Sequence, residues 1–577
     1  MNLQYQLSNE IKKIFIVLGD VDSSQEDPLV KPASRPEFGD YQVDGILSIS
    51  KKKGIKPRDL AASISHELNK INYIEHSEIA GAGFINIRIA DSYIIDEINK
   101  SIHSDRFNIL FTNNPETIVV DYSSPNVAKE MHVGNIRSTI IGDAVVKTLE
   151  FLGHNVIRAN HIGDWGTQFG MLIAYMEDLN IEDKKLTISE LEEFYRKAKM
   201  RYDSDEVFSR KSRDYVVKLQ GGNSYCSKVW EKLVNITMQQ NQETYERLGV
   251  SLTMNDIMGE SIYNSMLPQI VEDLKSKGIA QESQGATVVY LDEYRNRSGE
   301  IMGVIVQKQD GGFLYTTTDI ACAKYRYDIY KADRILYYID SRQNQHLLQA
   351  WEIARKAGYI PTHIKLEHHM FGMMLGKDGK PFKTRTGGTV KLSELTDEAV
   401  KRAKVLIVEK RKDLTDNEIE DIAEIIGIGA IKYSDLSKNR VTDYIFDWNN
   451  MLSFDGNTSP YIQYAYTRIT SLLNKSQTHK GEYNVTSLLE EIEKKIARQL
   501  LRFEEIIEAV AKDGTPHVLC SYLYGLSVNY SKFYEECPIL SATDSKVKNS
   551  RISLSFLTAQ ILEKGLDLLG IKVPSKM

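Results

Sequence analysis

His132, Gly134 and Asn135 fall within four residues of one another in Pro125-Asn126-Val127-Ala128-Lys129-Glu130-Met131-His132-Val133-Gly134-Asn135. Their types suit a nucleotide. An imidazole and a carboxamide three apart face one ligand if the opening turn of a helix carries them. The glycine between them removes a side chain where a flat base could approach the backbone. Lys129 adds a mobile positive charge. The apolar run 118–120 leads into the segment, and a helix-like stretch, 136–152, follows it. A strand that empties through a loop into a helix is a standard place to hold phosphate.

Two further groups of residues could act with that loop. The densest basic patch runs from Lys377 to Lys391, with Lys380, Lys383 and Arg385 between and only Asp378 opposing. Gly376, Gly379, Gly387 and Gly388 flank it, as a hinged closing loop would need. In Tyr315-Thr316-Thr317-Thr318-Asp319, the tyrosine and the aspartate are four apart. They share a face if a helix starts there with a threonine as its N-cap. A carboxylate beside an aromatic face suits a planar cation such as guanidinium. The same spacing also reads as a core tyrosine and a first-turn charge.

The elements that must position these residues follow from pattern. A chain of 577 residues is too long for one core. Residues 1–112 read as a small α/β unit with a helix at 3–18, strands at 45–49 and 84–89, and a helix from Pro57. Residues 116–395 alternate strand-like runs (118–120, 156–159, 287–291, 303–307, 334–339, 364–366) with helical ones. That alternation argues a doubly wound parallel sheet of the Rossmann type, with a charged helical insertion near 180–260. Residues 396–455 read as a helical connection and 456–577 as an all-helical module, with helices at 416–432, 460–473, 487–512, 516–534 and 551–569. The four cysteines, Cys226, Cys322, Cys520 and Cys537, form no C-x-x-C pair, which argues for buried thiols and against zinc. No stretch is apolar enough to span a bilayer or serve as a signal peptide, so a cytoplasmic location is expected. Net charge is −7, so any polyanion must meet local patches, such as Lys546-Val547-Lys548-Asn549-Ser550-Arg551.

The residues 132–135 resemble the HIGH signature of class I aminoacyl-tRNA synthetases, with Asn135 at its fourth position. Ser124 to Lys129, then Arg137-Ser138-Thr139-Ile140-Ile141-Gly142-Asp143, then His161-Ile162-Gly163-Asp164-Trp165-Gly166-Thr167-Gln168-Phe169-Gly170 look like the bacterial-type arginyl-tRNA synthetase family. So do residues 372–391 and the closing Leu569-Gly570-Ile571-Lys572-Val573-Pro574-Ser575-Lys576-Met577. The resemblance implies activation of arginine by ATP with magnesium, release of pyrophosphate, and transfer to the 3′ end of arginine tRNA. It places ATP at His132, Val133, Gly134, Asn135, Lys380 and Lys383, and gives catalytic roles to His132, Asn135, Lys129 and Lys383. Lys380-Pro381-Phe382-Lys383-Thr384 resembles the family's KMSKS loop in its two lysines alone.

Arginine contacts fall, by the same resemblance, on Asn126, Glu260, Tyr315, Asp319 and Gln343. His161 is read as mainly structural. Residues 456–577 resemble a DALR-type anticodon-binding domain, with Tyr530, Tyr534 and Met577 at positions near the tRNA. Residues 1–112 resemble an additional tRNA-binding domain. A monomer without a metal site of its own is the family expectation. Two rivals stay open: a class I synthetase for glutamate or cysteine, and a tRNA-binding paralogue without catalysis.

Overall fold

The structure is a computed structural model that describes residues 2–20, 22–181, 186–295, 299–382, 390–479 and 481–577. Helix α1 (Leu3–Val17) buries Leu3, Leu7, Ile11 and Ile14, one stripe at helical spacing. Asn2 caps it by accepting from the Tyr5 amide. Strands β1 (Val30–Pro32), β2 (Tyr41–Val43), β3 (Ile74–Ala80) and β4 (Phe84–Ile89) form an antiparallel sheet in the order β1-β2-β4-β3. The helices α2 (Ile46–Lys53), α3 (Pro57–Leu68) and α4 (Asp91–Ile102) complete this unit. Residues 45–49 are therefore not a strand. Ile46 and Ile49 are three apart and both buried, which one face of a helix satisfies, and Gly54 at φ 65° closes its C-terminus.

The next part builds the site. Its elements are β5 (Thr117–Asp121), α5 (Val133–Leu152), β6 (Asn155–Ile162) and α6 (Thr167–Leu179). The insertion helices α7 (Ile188–Ser204), α8 (Glu206–Gln220) and α9 (Ser224–Arg247) come next. They are followed by β7 (Ile257–Gly259) and α10 (Leu267–Ser276). Then come β8 (Ala280–Ser283), β9 (Ala286–Arg295), β10 (Ile301–Gln307) and α11 (Tyr315–Tyr330). β11 (Arg334–Tyr337), α12 (Asn344–Lys356) and β12 (Lys365–His368) end it.

Five strands pair in parallel in the order β12-β11-β5-β6-β7. β5 is central, and the chain leaves it to one side through β6 and returns to the other through β11. The crevice beyond the carboxyl ends of β5 and β11 is the switch point where open α/β sheets bind ligands. Residues 287–291 and 303–307 do not join this sheet. They lie in β9 and β10, which pair antiparallel with β8 in a separate sheet. The connection from Arg295 to Ile301 is too short for a parallel crossover, so a hairpin is the available solution. The insertion has a core of its own, in which Phe169, Leu191, Phe208 and Leu233 meet.

The C-terminal part is helical: α13 (Leu392–Lys410), α14 (Asp416–Leu436), α15 (Trp448–Met451) and α16 (Ser459–Ser476), then α17 (Glu491–Leu501), α18 (Phe503–Asp513), α19 (His517–Glu536) and α20 (Ser545–Leu568). The single helix expected at 487–512 is two helices, with Arg502 at ψ 0° between them. One two-residue parallel pair, Met374–Leu375 with Tyr444–Ile445, interrupts the helical stretch. No helix among the described residues is long and apolar enough to cross a membrane. All four cysteines are buried and unbridged.

One buried cation ties three parts together. Lys432 of α14 donates to the carbonyls of Leu248 (2.5 Å) and Gly570 (2.7 Å), just past the ends of α9 and α20. Burial first, and then the charge of Lys147, lower its pKa from 10.5 to about 7; only the Asp143 charge opposes. Between about pH 7 and about 10 the unfolded chain therefore holds a proton that the folded chain lacks. Wild-type stability relative to Lys432→Met is expected to rise across that window, by on the order of a few kcal/mol. Urea titrations of both proteins at several pH values check it; parallel pH profiles would refute the assignment.

Candidate nucleotide and amino-acid site

The N-terminus of α5 explains the sequence motif locally. His132 is its N-cap, and the Gly134 amide donates to the ring at Nδ1 (3.0 Å). The Asn135 side-chain oxygen in turn accepts from the His132 amide (3.0 Å), which completes a capping box. A Cβ on Gly134 would lie 2.8 Å from the imidazole Cε1, so the folded-back ring requires glycine there. With Nδ1 accepting, Nε2 carries the proton and is the ring's donor. Partial burial, and then the nearby charge of Lys129, hold the ring below its ordinary pKa and favour this neutral form.

These residues open onto a cleft of about 560 Å³ at the switch point. Asn126, His132, Val133, Gly134, Asn135 and Gln343 all line it, together with Ser123 and Ser124 beyond β5 and Phe382. Asn135 thus differs from the expectation in part. Its oxygen is occupied within the helix cap while the residue still faces the cleft. Lys129 does not line the cleft; its ammonium lies 4.9 Å from the centre of the Tyr195 ring. Lys380 is exposed at the end of a turn in which the Gly376 amide donates to the Lys380 carbonyl (2.7 Å). Lys383, with Thr384 and Arg385, lies outside the described residues.

A second cluster adjoins the first. The cap of α11 is Leu314, not a threonine. All three threonines lie inside the helix, and the buried Thr317 donates its hydroxyl to the Val306 carbonyl. Tyr315 therefore opens the helix and is 68% exposed, while Asp319 points inward to His346 Nε2 at 2.6 Å. That bond raises the His346 pKa.

Glu260 begins a tight turn just after β7. Burial pushes its carboxyl up to about 7; the charges of Asp319 and Asp164 add to this, and His161 opposes it. Asp164 fixes that turn by accepting from the Ser261 amide (2.9 Å) and hydroxyl (2.6 Å). A Cβ on Gly259 would collide with the Asp164 carboxylate. A buried carboxyl that a neighbouring carboxylate raises further would gain from a bound cation. The Asn126–Gly163 bridge joins this cluster to the cleft.

Behind both stands a buried group that sequence reading largely missed. Asp121 at the end of β5 accepts from Arg326 Nη2 of α11 (2.6 Å), and His161 Nδ1 lies 3.5 Å away. Burial works against the Asp121 charge, but Arg326 and His161 together outweigh it and hold the carboxyl far below its usual range. Burial likewise opposes a charged His161, and the bond to Asp121 raises it. The i,i+4 tyrosine–aspartate signal gave no hint of Arg326, which pairs across the sheet. Gly170 lets α6 approach α8, where a Cβ would strike the Ser212 carbonyl.

The expected tRNA contacts divide. Tyr530 is buried, its hydroxyl on Ser555 Oγ (3.1 Å) and its ring edge-on to Phe533. It packs the core of the helical module and offers no stacking face, which corrects its expected role. Tyr534 is 37% exposed, with the Arg468 guanidinium 3.9 Å from its ring centre. The Met577 carbonyl accepts from Arg411.

Comparison with known proteins agrees with this arrangement. Residues 97–448 match the family of class I tRNA synthetases (R), catalytic domain. Residues 462–577 match the DALR anticodon binding domain, and residues 1–89 the arginyl tRNA synthetase N terminal domain. The chain is 57% identical over 580 residues to an arginine–tRNA ligase of Klebsiella pneumoniae, covering 100% of both. It is 58% identical over 585 residues to that of Haemophilus influenzae, again covering 100% of both. A solved arginyl-tRNA synthetase from Plasmodium falciparum superposes with a TM-score of 0.85 at 30% identity, covering 99% of each chain. That of Thermus thermophilus superposes at 0.83 with 24% identity over 100% of each, a likeness of fold.

The buried pair sets a prediction. Asp121→Asn leaves Arg326 charged and without its partner in the core, so it should destabilise the protein by about 3–5 kcal/mol. An unchanged urea midpoint for the variant would contradict the account.

Proposed function

The chain belongs to the arginyl-tRNA synthetases of class I, which activate arginine with ATP and transfer it to tRNA, and from that premise we propose how its two adjoining clusters divide the work. The arginine carboxylate attacks the α-phosphorus of ATP. A bond from carboxylate oxygen to phosphorus forms as the bond to the bridging oxygen of pyrophosphate breaks. The arginyl group then passes to a ribose hydroxyl at the 3′ end of the tRNA, and AMP leaves. Charge builds on phosphate oxygens in the first step, so placed donors and cations matter more than a general base.

His132 Nε2–H, at the positive end of the α5 dipole, is the donor aimed at that charge. Asn135 supplies its remaining amide to phosphate or ribose oxygens. Lys129 and Lys383 neutralise the leaving phosphates, with Lys380 nearby. Val133 and Gly134 provide the flat floor for the nucleotide. Magnesium enters as part of the nucleotide substrate and supplies charge neutralisation between phosphates.

Glu260 and Asp319 take the guanidinium, with the ring of Tyr315 at its edge. Asn126 and Gln343 line the nucleotide cleft, where the amino-acid carboxylate must meet the α-phosphate. Exposed Tyr534, with Arg468, is the stacking candidate that the helical module presents to unpaired tRNA bases, and Met577 lies at the same end of the chain. The protein acts as a monomer in the cytoplasm. The observation that carries the reading is the cleft at the switch point, where His132, Gly134 and Asn135 of the α5 N-terminus meet Asn126 and Gln343.

ATP–pyrophosphate exchange that depends on arginine, measured with and without tRNA, tests the reading as a whole; exchange driven by another amino acid would overturn it. Asp319→Asn should lower kcat/KM for arginine by ~2–4 kcal/mol, and unchanged arginine activation would remove Asp319 from the pocket. Glu260 is neutral below about 7 and charged above it. A guanidinium prefers the charged form, so KM for arginine should fall as pH rises through about 7. Glu260→Gln should raise KM and flatten that profile, and a profile unchanged in the variant would assign the dependence to another group.

A further inference from the structure

One face of α7 reaches the signature loop. The opposite face of this helix buries Ile188, Leu191 and Ala198 in the insertion core, and Thr187 with Glu190 caps it, so its position is held. Glu192 and Tyr195, three apart, project from the near face. Glu192 lies 3.7 Å from Lys391, which pairs with Glu130 at 2.5 Å. The backbone beside that pair joins 131–133 to 390–392: the Val133 amide donates to Val390 (3.0 Å) and the Leu392 amide to Met131 (2.9 Å).

Tyr195 holds the Lys129 ammonium 4.9 Å from its ring centre. Its phenol is also near enough to Tyr315 to help raise that group's titration, after burial and the charge of Glu260. The loop is docked on the same insertion from behind. The buried Ala128 amide donates to Thr237 Oγ1 of α9 (3.0 Å), with Ala128 itself in the left-handed region at φ 64°. Such a conformation in a residue with a side chain persists only where its surroundings impose it.

We propose that Tyr195 is a positioning residue for the activation step, holding Lys129 beside the nucleotide cleft and beside the arginine pocket at once. It rests on the phosphate role of Lys129 given above. The ring attracts the ammonium through its face and replaces part of its water, so the cation waits partly desolvated and oriented. An arriving polyphosphate then offers a stronger partner a short side-chain rotation away. An insertion helix thereby takes part in chemistry done on the sheet.

The experiment uses the full-length protein with arginine tRNA and follows ATP–pyrophosphate exchange. Tyr195→Leu should lower kcat/KM for ATP by roughly 2- to 30-fold, the range of a cation–π contact, and leave KM for arginine within about twofold. Tyr195→Phe, which keeps the ring, should stay within about twofold of wild type. Tyr195→Gln should repeat the leucine result and guards against a leucine variant that misfolds. Glu193→Gln, on an exposed side chain of the same helix, should change nothing. In a Lys129→Met background Tyr195→Leu should add no further loss.

A full additional loss there, or a phenylalanine variant as poor as leucine, would overturn the proposal. So would a silent Tyr195→Leu beside an impaired Lys129→Met, which would leave the Lys129 assignment standing. A silent Lys129→Met would instead remove the phosphate role and the proposal with it.

Discussion

The buried pair of Asp121 and Arg326 is the contact on which the site is built. Asp121 ends the central strand, Arg326 belongs to the helix that carries Tyr315 and Asp319, and His161 adds the end of β6. Ser124 Oγ also donates to Asp121, at 2.9 Å. One carboxylate therefore ties the start of the signature loop to the helix that carries Tyr315 and Asp319 and to the strand that leads to Asp164. Removing two charges from water is costly, and only close geometry with several donors offsets it. That cost makes the arrangement specific, because any shift of strand against helix leaves a charge unpaired.

From this centre the two subsites acquire opposite electrostatics. The N-terminus of α5 combines the positive end of its dipole, a neutral imidazole donor and a nearby lysine, as an anion site needs. In the second cluster, burial and the charge of Asp319 keep the Glu260 carboxyl hard to ionise. Under the proposed reading the arginine cation relieves that cost, and substrates of opposite local charge are sorted before any reaction. The capping box serves twice: the bonds that start the helix also fix the tautomer that leaves Nε2–H outward.

Long-range ties explain why distant parts belong to one enzyme. Arg334 of β11 forks onto Glu367 and reaches the Ala511 and Lys512 carbonyls at the end of α18. Lys432 joins the ends of α9 and α20 to α14. Both place a side-chain nitrogen donor at helix C-termini, where carbonyls lack a partner within the helix. The helical module that faces tRNA is in this way bonded to the strand next to the nucleotide cleft.

The sequence alone determined the alternation of strand and helix around 118–152, the loop of His132, and a helix opening near Tyr315. These are local facts, set by periodicity and by which side chains can cap a helix. Tertiary structure decided the rest. Residues 287–307 read as parallel strands because β-propensity carries no partner; the short connection made them a hairpin. Tyr530 and Tyr534 share the same spacing rule, and only packing put one inside and left the other in solvent. Tyr195 and Lys129, like Asp121 and Arg326, are far apart in the chain, so no pattern joins them. Their meeting depends on how helices pack against the sheet, where burial, not sequence neighbourhood, sets the energy.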